Sequence, residues 1–548
     1  MKPVPGCAPD ETSKRSGVRK IRVQDTTLRD AQQCLWATRM TTAMMLPVAQ
    51  KMDAAGYEAI DLMGSVQFDV CVRYLKEDPW DRVRLLRQRV RNTPLKAGLR
   101  SKSLITFRPL PEDVVHLWVE KLVENGIGKM SPFDALFDFD NIIESMRIAR
   151  RAGASVGAAL IFCESPVHTD ELYVRKTKEL LERIGVSHIM LKDSGGLLTV
   201  DRVRTLVPAL KQVLGDIPLE LHSHCMTGLA PLVYLEGVKA GADVVQTATA
   251  PLANGPSQPA TQTIVRNLRQ MGYEVELDDR IVDEVGEYFR AVAEQEGKPL
   301  GVPMEYDAFH YEHQLPGGML TNLQFQLQEA RLLGKFDAVL AEIARIRREI
   351  GWPIMVTPFS QFLATQALFN VVTGERYKIV PDEMKQYALG YFGKLLAPLE
   401  PDILDRIVEN GSPSIALEPE PPEPALPRLR RQFPNSTDEE RMMRVMFPGN
   451  QVDAMLAAGP IRTDYSIRTP LIRLLDELAK RPKLARVYIE NKAMRLEVAA
   501  NPPKAAYHAC ASIPSGSAAF ISIGLMLVAK RLQLHTVLPW GMIASGRR

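Results

Sequence analysis

Two histidines and a lysine stand at the ends of strand-like apolar runs, where side chains can converge on one point. His222 and His224 close one run, and a strand sends residues i and i+2 to the same face, so their imidazoles should project together. Lys192 lies near the end of the preceding run, and Arg29 and Asp30 follow the first run of the chain. One carboxylate and two neutral imidazoles suit a divalent metal such as Zn²⁺, Mn²⁺ or Co²⁺, with the remaining positions open to substrate.

Lys192 needs a separate interpretation, because an ammonium group would repel a metal ion. One possibility is that Lys192 forms a salt bridge with the adjacent Asp193 and does not bind the metal. The other is that its amine has been converted to a carbamate, which is an anionic oxygen ligand. The residue types alone leave both possibilities open.

The elements that must position these residues are short apolar runs that alternate with amphipathic helical patterns. Because parallel neighbouring strands need helical crossovers, eight such runs predict an α/β fold, a (β/α)₈ TIM barrel, with its chemistry at the carboxyl ends of the strands. A doubly wound open sheet is the alternative, but the glycine-rich phosphate turn expected after its first strand is missing. The runs are Ile21–Thr27, Ala59–Gly64, Leu95–Leu99, Gly126–Phe133, Val156–Phe162, His188–Asp193, Leu219–His224 and Val244–Ala250.

The chain after the barrel is predicted to be mainly helical, with a small extension at the C-terminus. Helical patterns without intervening strands include Met319–Leu333, Phe336–Glu349 and Ser360–Val372. A proline- and glutamate-rich stretch then cannot be helix interior and predicts an exposed linker. The predicted segments are an N-terminal extension (1–20), the barrel (21–300), a helical domain (301–411), the linker (412–427), a helical segment with a small unit of helix Thr469–Lys480 and strand-like Val487–Val498 (428–500), and an unassigned tail (501–548).

Composition excludes several classes of function. The 68 basic and 65 acidic residues give a net charge of +3, so no general case for nucleic acid or an anionic membrane follows. The six cysteines have no C-x-x-C spacing, which indicates neither a disulfide framework nor a zinc ribbon, and a reducing cytoplasm is expected. The N-terminus lacks the apolar core of a signal peptide, and the longest apolar run is too short to span a bilayer comfortably.

From about Lys20 to Ala457 the sequence resembles the carboxyltransferase component of biotin-dependent enzymes. This family includes the carboxyltransferase domain of pyruvate carboxylase, the transcarboxylase 5S subunit and the oxaloacetate decarboxylase α subunit, and its fold is a metal-containing TIM barrel plus a helical domain. The matching motifs occur in the same order: Asp25-Thr-Thr-Leu-Arg-Asp-Ala31, Met190-Leu-Lys-Asp193, Leu221-His-Ser-His224, Ser257-Gln-Pro-Ala-Thr261, Glu312-His-Gln-Leu-Pro-Gly-Gly318, Val356-Thr-Pro358 and Gly374-Glu-Arg-Tyr-Lys378.

The resemblance assigns roles to individual residues of the metal site. It implies that Asp30, His222 and His224 are metal ligands and that Lys192 is a carbamylated lysine that also binds the metal. The implied reaction moves a carboxyl group between carboxybiotin and a small keto acid, such as pyruvate or oxaloacetate, through a metal-stabilised enolate.

The resemblance also implies a substrate site. Arg29 and Gln33 match the pair that holds the keto acid, and Arg100 matches the arginine that binds its carboxylate, a bidentate interaction for which a guanidinium group is suited. Asp69 keeps the place of a catalytic carboxylate but has lost the tyrosine that it would pair with, because Phe107 stands there.

Three departures from the family pattern lie on the substrate side. Pro256 stands where the family commonly has a threonine credited with proton exchange with biotin, and Phe107 and Ser131 replace a tyrosine and an arginine. Proline cannot relay a proton. These departures predict either an acceptor other than plain pyruvate, such as a longer or more apolar acid held by Arg100, or a different group for proton transfer.

The partners follow from what the sequence contains. No Ala/Glu-Met-Lys-Met biotinylation motif occurs, and Glu490-Asn-Lys-Ala-Met494 is only superficially similar. Biotin is therefore expected on a separate carrier protein served by a biotin carboxylase subunit, and the resemblance suggests a homodimer. Two alternatives remain: a metal-dependent carbon–carbon lyase or synthase of the hydroxymethylglutaryl-CoA lyase type, and a degenerate, non-catalytic scaffold subunit.

Overall fold

All eight apolar runs contribute strands to one barrel in the computed structural model, which describes residues 18–467 and, further on, 486–490, 495–501, 506–512, 521–528, 531–537 and 543–547. Every neighbouring pair of strands is parallel, and the first strand pairs with both the second and the last. The predicted TIM barrel is confirmed. Its strands are β1 (Arg22–Asp25), β2 (Ala59–Met63), β3 (Leu95–Arg100), β4 (Ile127–Phe133), β5 (Ser155–Val156), β6 (Ala158–Ile161), β7 (Ile189–Asp193), β8 (Leu219–Ser223) and β9 (Val244–Thr247).

The fifth run is divided in two at Gly157. The Gly157 amide donates to Met130 O of β4 at 3.0 Å, whereas the next amide, of Ala158, donates to His188 O beside β7 at 3.3 Å. A Cβ at position 157 would lie 2.4 Å from the His188 ring and carbonyl, which explains the glycine. The run therefore changes partner strand within two residues, and the barrel has nine strands in eight positions.

Helices cover the barrel between and after the strands. Their starts follow the expected capping chemistry: for example, the Asp78 carboxylate accepts from the Trp80 amide at 2.8 Å while Pro79 takes the first helical position. The helices are α1 (Gln32–Leu35), α2 (Thr42–Ala54), α3 (Ser65–Val70), α4 (Pro79–Arg89), α5 (Glu112–Glu124), α6 (Ile143–Arg151), α7 (Asp170–Arg183), α8 (Val200–Leu214), α9 (Ala230–Ala240), α10 (Thr261–Gln270) and α11 (Asp279–Glu296).

The region after the barrel is helical, as predicted. Glu349 accepts from Arg376 at 2.7 and 2.8 Å and from the Tyr377 hydroxyl at 2.8 Å, which ties the Gly374–Lys378 motif to helix α14. The helices are α12 (His310–His313), α13 (Gly317–Glu329), α14 (Phe336–Glu349), α15 (Phe359–Thr373), α16 (Asp382–Ala388), α17 (Pro401–Asn410), α18 (Leu426–Gln432), α19 (Asp438–Met446) and α20 (Gly449–Ala457).

The predicted linker is exposed over most of its length, and its end is anchored. The Asp113 carboxylate accepts from the amides of Ala425 and Leu426 at 3.1 and 2.7 Å, and α18 begins at Leu426 with Pro427 in its first turn. Among the described residues, no helix is long and apolar enough to cross a membrane.

The chain divides into two compact units, Met1–Tyr465 and Ser466–Arg548. The described part of the second unit is one antiparallel sheet of six strands in sequential order. The predicted helix Thr469–Lys480 lies outside the described residues, and the tail for which the sequence predicted nothing contributes four of the strands. They are β10 (Arg486–Glu490), β11 (Arg495–Asn501), β12 (Ala506–Ser512), β13 (Ile521–Val528), β14 (Arg531–Val537) and β15 (Ile543–Arg547).

Candidate active site at the barrel mouth

A carboxylate and two imidazoles meet at the carboxyl ends of β1 and β8. Asp30 lies on a single π-helical turn, Thr27–Ala31, directly after β1. Its Oδ2 atom is 3.0 Å from His222 Nε2 and 3.5 Å from His224 Nε2, and the two Nε2 atoms are 3.1 Å apart. All three side chains are buried. Ligand atoms about 2.1 Å from one metal ion lie roughly 3.0–3.4 Å from each other, so this triangle has the dimensions of a metal site.

The hydrogen bonds behind the two rings leave both Nε2 lone pairs at this point. His222 Nδ1 lies 2.9 Å from Gln246 Oε1, and His224 Nδ1 lies 2.6 Å from the Pro256 carbonyl. Amide and carbonyl oxygens only accept, so both Nδ1 atoms carry the proton. Asp30 Oδ2 is buried and accepts no hydrogen bond in the described part of the chain. These residues therefore fit a divalent cation.

The charges at the site agree with this donor set. Burial raises the pKa of Asp30, but neighbouring cationic groups, Arg29 first, outweigh it and hold that pKa well below its usual range. Burial lowers the pKa of His222 to about 3, so this ring is neutral. Burial also lowers the pKa of His224, but Cys34 and Asp30 outweigh it and raise that pKa to about 10. A cation that binds at this point therefore displaces a proton from His224.

Lys192 lies beside this triangle, with its Nζ atom 3.9 Å from Asp30 Oδ2. Burial, followed by the positive charge of Arg29, lowers the pKa of Lys192 to about 8. The neighbouring Asp193 does not form the salt bridge considered from the sequence. Its carboxylate instead accepts from two backbone amides of the next loop, at 2.8 and 2.9 Å, and from the Ser223 hydroxyl at 2.7 Å.

Arg29 is fixed on the other side of Asp30. Its Nε and NH2 atoms lie 2.7 and 2.6 Å from Asp61 Oδ2 on β2, and NH2 lies 3.2 Å from Asp30 Oδ2. Gln33 is half-buried, and its Oε1 accepts from the Gln67 amide at 3.1 Å. Its own amide nitrogen makes no hydrogen bond within residues 18–467, which leaves it available to a ligand.

Arg100 and Asp69 lie in a second part of the mouth. Arg100 is buried, its NH2 atom donates to the Thr106 carbonyl at 2.7 Å, and its Nε atom has no partner among the described residues. Burial lowers the pKa of Arg100 to about 10, against the opposing effect of Asp69. Asp69 accepts from Arg73 at 2.6 Å on the same helix, and Phe107 is 42% exposed with its ring 5.9 Å from Arg100.

A cavity of about 410 Å³ opens beside Arg100, between the loops after β3 and β4 and the helical region. Its wall includes Lys102 and Arg108 from the barrel, Phe359 at the start of α15, and Pro419–Pro422 from the linker. The cavity is large enough for a small metabolite.

Two of the substituted positions have clear structural roles. Ser131 Oγ lies 2.9 Å from His188 Nε2 inside the barrel, so this position takes part in a buried hydrogen bond. Pro256 has no hydroxyl, but its backbone carbonyl holds the His224 ring. The sequence analysis considered only side chains at position 256 and therefore missed this contribution.

Other residues of the site were also missed. Asp61, Gln246 and Gln258 are buried polar residues in or beside strands, and Gln258 Nε2 lies 3.1 Å from His224 Nε2. Cys34 lies 3.8 Å from both Asp30 Oδ1 and His224 Nδ1. Polar residues that interrupt an apolar strand are the signal that could have identified Asp61 and Gln246, because in a barrel such positions face the interior.

Comparison with known proteins agrees with the barrel and the helical region. The chain matches the family model described as a conserved carboxylase domain over residues 311–466, and the HMGL-like model over residues 129–287. It is 44% identical to the pyruvate carboxylase B subunit of Methanocaldococcus jannaschii over 401 residues, 73% of this chain and 70% of that protein.

Two further relatives carry different names. The chain is 33% identical over 443 residues to the methylmalonyl-CoA carboxyltransferase 5S subunit of Propionibacterium freudenreichii subsp. shermanii, covering 78% of this chain and 86% of that one. It is 32% identical over 448 residues to the 2-oxoglutarate carboxylase large subunit of Hydrogenobacter thermophilus, covering 80% and 69%. The carboxyl transferase domain of Rhizobium etli pyruvate carboxylase shares the fold, with a TM-score of 0.74 at 24% identity over 97% of this chain and 88% of that one.

The barrel, its polar mouth and the helices that follow define a carboxyl-transferring class of enzyme. The chain belongs to the family of carboxyltransferase components of biotin-dependent carboxylases, and the family predicted from the sequence motifs is confirmed. It is a biotin-dependent carboxyltransferase.

Proposed function

We propose that this carboxyltransferase binds one divalent cation, Zn²⁺, Mn²⁺ or Co²⁺, through Asp30, His222 and His224, with Lys192 as a carbamylated fourth ligand. The observation that carries the proposal is the convergence of Asp30 Oδ2, which accepts no hydrogen bond, with two Nε2 atoms at 3.0 and 3.5 Å. When bound, the cation would act as a Lewis acid that stabilises negative charge on the substrate.

The environment of Lys192 supports carbamate formation. Only the neutral amine attacks CO₂, and a pKa of about 8 gives a substantial neutral fraction near neutral pH. Loss of one proton to solvent accompanies formation of the N–C bond and leaves an anionic group. Because Nζ is 3.9 Å from Asp30 Oδ2, the added carboxylate group would reach the same point as the three other ligands.

The keto acid is proposed to lie between the cation and the second part of the mouth. Arg29, held by Asp61, would face the keto oxygen and stabilise the negative charge that develops there when a carboxyl group is gained or lost. Gln33 would donate its free amide N–H to the same substrate. Arg100 would bind the substrate carboxylate through donors that the protein leaves unpaired, with Asp69 nearby as the proposed catalytic carboxylate.

Carboxybiotin is proposed to arrive on a separate carrier protein that a biotin carboxylase subunit charges. The support is that two relatives are named as subunits, one of pyruvate carboxylase and one a 5S subunit, together with a sequence that lacks a biotinylation motif. A homodimer and a cytoplasmic location complete the proposal. The free cysteines among the described residues, Cys34, Cys71, Cys163 and Cys225, are compatible with a reducing compartment.

The proposal is tested by metal analysis together with oxaloacetate decarboxylation in the presence of free biotin. The wild-type protein should hold about one divalent ion per chain and release pyruvate, whereas Asp30→Asn should lose both properties because it removes the only anionic ligand provided by an unmodified side chain. Asp201→Asn, at a carboxylate that is 96% exposed, is the matched control and should change neither.

The possible results separate the alternatives. A protein that stays metal-free in excess Zn²⁺, Mn²⁺ and Co²⁺ would contradict the proposed site. A protein that binds metal but shows no metal-dependent pyruvate release with oxaloacetate or a longer keto acid would instead support a scaffold role. Cleavage of a hydroxyacyl-CoA substrate would favour the lyase alternative, which shares the HMGL-like match.

A further inference from the structure

A second polar cluster lies inside the barrel, one layer below the metal ligands. At its centre is Glu220 of β8, which is completely buried. Its carboxylate accepts from Gln24 at 2.6 Å and from Gln246 at 2.8 Å, and it pairs with Lys129 at 2.7 Å and Lys96 at 3.2 Å. Burial raises the pKa of Glu220, but Lys96, His188 and Lys129 outweigh it and hold that pKa well below its usual range, so the group is ionised.

Glu220 fixes the orientation of the Gln246 side chain. A carboxylate can only accept, so the Gln246 amide must present its NH₂ group to Glu220 and its Oε1 atom to the opposite side. On that side, Oε1 lies 2.9 Å from His222 Nδ1. Because Oε1 can only accept, His222 carries its proton on Nδ1 and its lone pair on Nε2, which is the atom that faces Asp30 and His224.

His224 provides an internal contrast. Its Nδ1 atom is held by the backbone carbonyl of Pro256 at 2.6 Å, so its tautomer does not depend on Glu220. Hydrogen bonds behind metal-binding histidines orient the ring, and removal of such a partner commonly costs 10–100-fold in metal affinity. The buried charge below the site therefore acts on one of the two imidazoles and not on the other.

We propose that Glu220 and Gln246 are positioning residues that hold His222 in its metal-binding tautomer, and that Lys96 and Lys129 keep Glu220 available as the acceptor at the base of this chain. The inference rests on the proposed binding of a cation by His222. Neither Glu220 nor Gln246 contacts the ligand triangle, so their effect would pass entirely through the Nδ1–H of His222.

The test exchanges the two side chains and measures the dissociation constants of Zn²⁺ and Co²⁺ by competition with a chromophoric chelator. Gln246→Glu puts two carboxylates in contact, and Glu220→Gln lets the Gln246 amide turn its NH₂ group toward Nδ1. Each single variant should bind the metal about 10–100-fold more weakly. The double variant Glu220→Gln/Gln246→Glu restores a donor facing a carboxylate and an acceptor facing Nδ1, and it should recover most of the lost affinity.

A matched control separates this effect from general damage to the barrel. Gln24→Met removes a donor to the same carboxylate, but Gln24 does not contact His222, so it should lower thermal stability and leave the metal dissociation constant within about threefold. If Gln246→Glu does not fold, Gln246→Met removes the same acceptor without adding charge and should weaken binding to a similar extent.

Each outcome decides the matter. Weak binding by the single variants with recovery in the exchanged pair supports the proposal, because isosteric packing defects would add and not cancel. Unchanged affinity in Gln246→Met or in the folded single variants overturns it, as does an exchanged pair that folds but binds as weakly as its parents. Absence of metal from the wild-type protein would contradict the proposed function itself, which is a separate result.

Discussion

The buried ion pair between Arg29 and Asp61 should contribute strongly to stability, and its removal can be compared with the loss of an exposed pair of equal length. The Asp61 side chain is 3% exposed and lies 2.6 Å from Arg29 NH2. The Asp69 side chain is 31% exposed and lies 2.6 Å from Arg73 Nε. The two pairs differ mainly in burial, so Asp61→Asn and Asp69→Asn form a matched comparison.

The expected magnitudes follow from that difference. Charges about 4 Å apart in surroundings with an effective dielectric constant near 20 interact by about 4 kcal/mol, and breaking a buried pair costs about 3–5 kcal/mol. Asparagine keeps one acceptor for Arg29, so we expect Asp61→Asn to lower the free energy of unfolding by about 3 kcal/mol. An exposed pair contributes roughly 0–1 kcal/mol, which is the loss expected for Asp69→Asn.

The measurement is urea unfolding of the metal-free protein followed by tryptophan fluorescence, since bound metal would add its own stabilisation. Asp61→Asn should also lower kcat/KM for oxaloacetate by about 10²-fold, because a displaced Arg29 no longer meets the keto oxygen. Equal destabilisation by the two variants would refute the reasoning that burial makes the Arg29–Asp61 pair important.

Three further predictions concern the substrate side, the pH dependence and the carbamate. Pro256→Thr with Phe107→Tyr should raise oxaloacetate turnover by roughly 10²–10⁴-fold if a proton relay is missing, and equal rates in an assay beside the wild type would show that it is not. Burial, with Arg347 adding to it, lowers the pKa of His168 to about 3, so the unfolded chain binds a proton below about pH 6.5 that the folded chain does not; stability should fall as pH drops toward 3, and His168→Gln should flatten that slope by up to about 1.4 kcal/mol per pH unit in urea titrations. Bicarbonate should strengthen metal binding at least about tenfold in the wild type and not in Lys192→Met, as measured by chelator competition in CO₂-free and bicarbonate-containing buffer.

The sequence predicted the parts of the site that depend on local periodicity. Period-two alternation places His222 and His224 on one face, and the carboxyl ends of parallel strands bring Asp30 and Lys192 to the same mouth. Both features follow from the run in which each residue lies and from the fold class, so neither required knowledge of the strand register.

The partners of those residues could not be predicted in this way. Asp61 meets Arg29 only because β1 and β2 are neighbours in the closed barrel, and Gln246 meets His222 only because β8 and β9 are. The Pro256 carbonyl is a backbone group, which a reading of residue types does not consider. The division of the fifth strand at Gly157 depends on the close approach of His188, a contact between residues far apart in the chain.

The charges around the proposed metal explain why bicarbonate should matter. With Lys192 as an ammonium group, a divalent cation, Arg29 and Lys192 supply four positive charges against two negative ones from Asp30 and Asp61, so the site would hold a net charge of +2. Conversion of Lys192 to a carbamate replaces one positive by one negative charge and brings the sum to zero. In a buried site, charge repulsion at about 4 Å amounts to several kcal/mol, so the neutral arrangement should bind the cation more tightly. A methionine at position 192 cannot form a carbamate, and its metal affinity should therefore be indifferent to bicarbonate. An equal response of both proteins to bicarbonate would mean that the anion acts elsewhere and that Lys192 is not the group that neutralises the site.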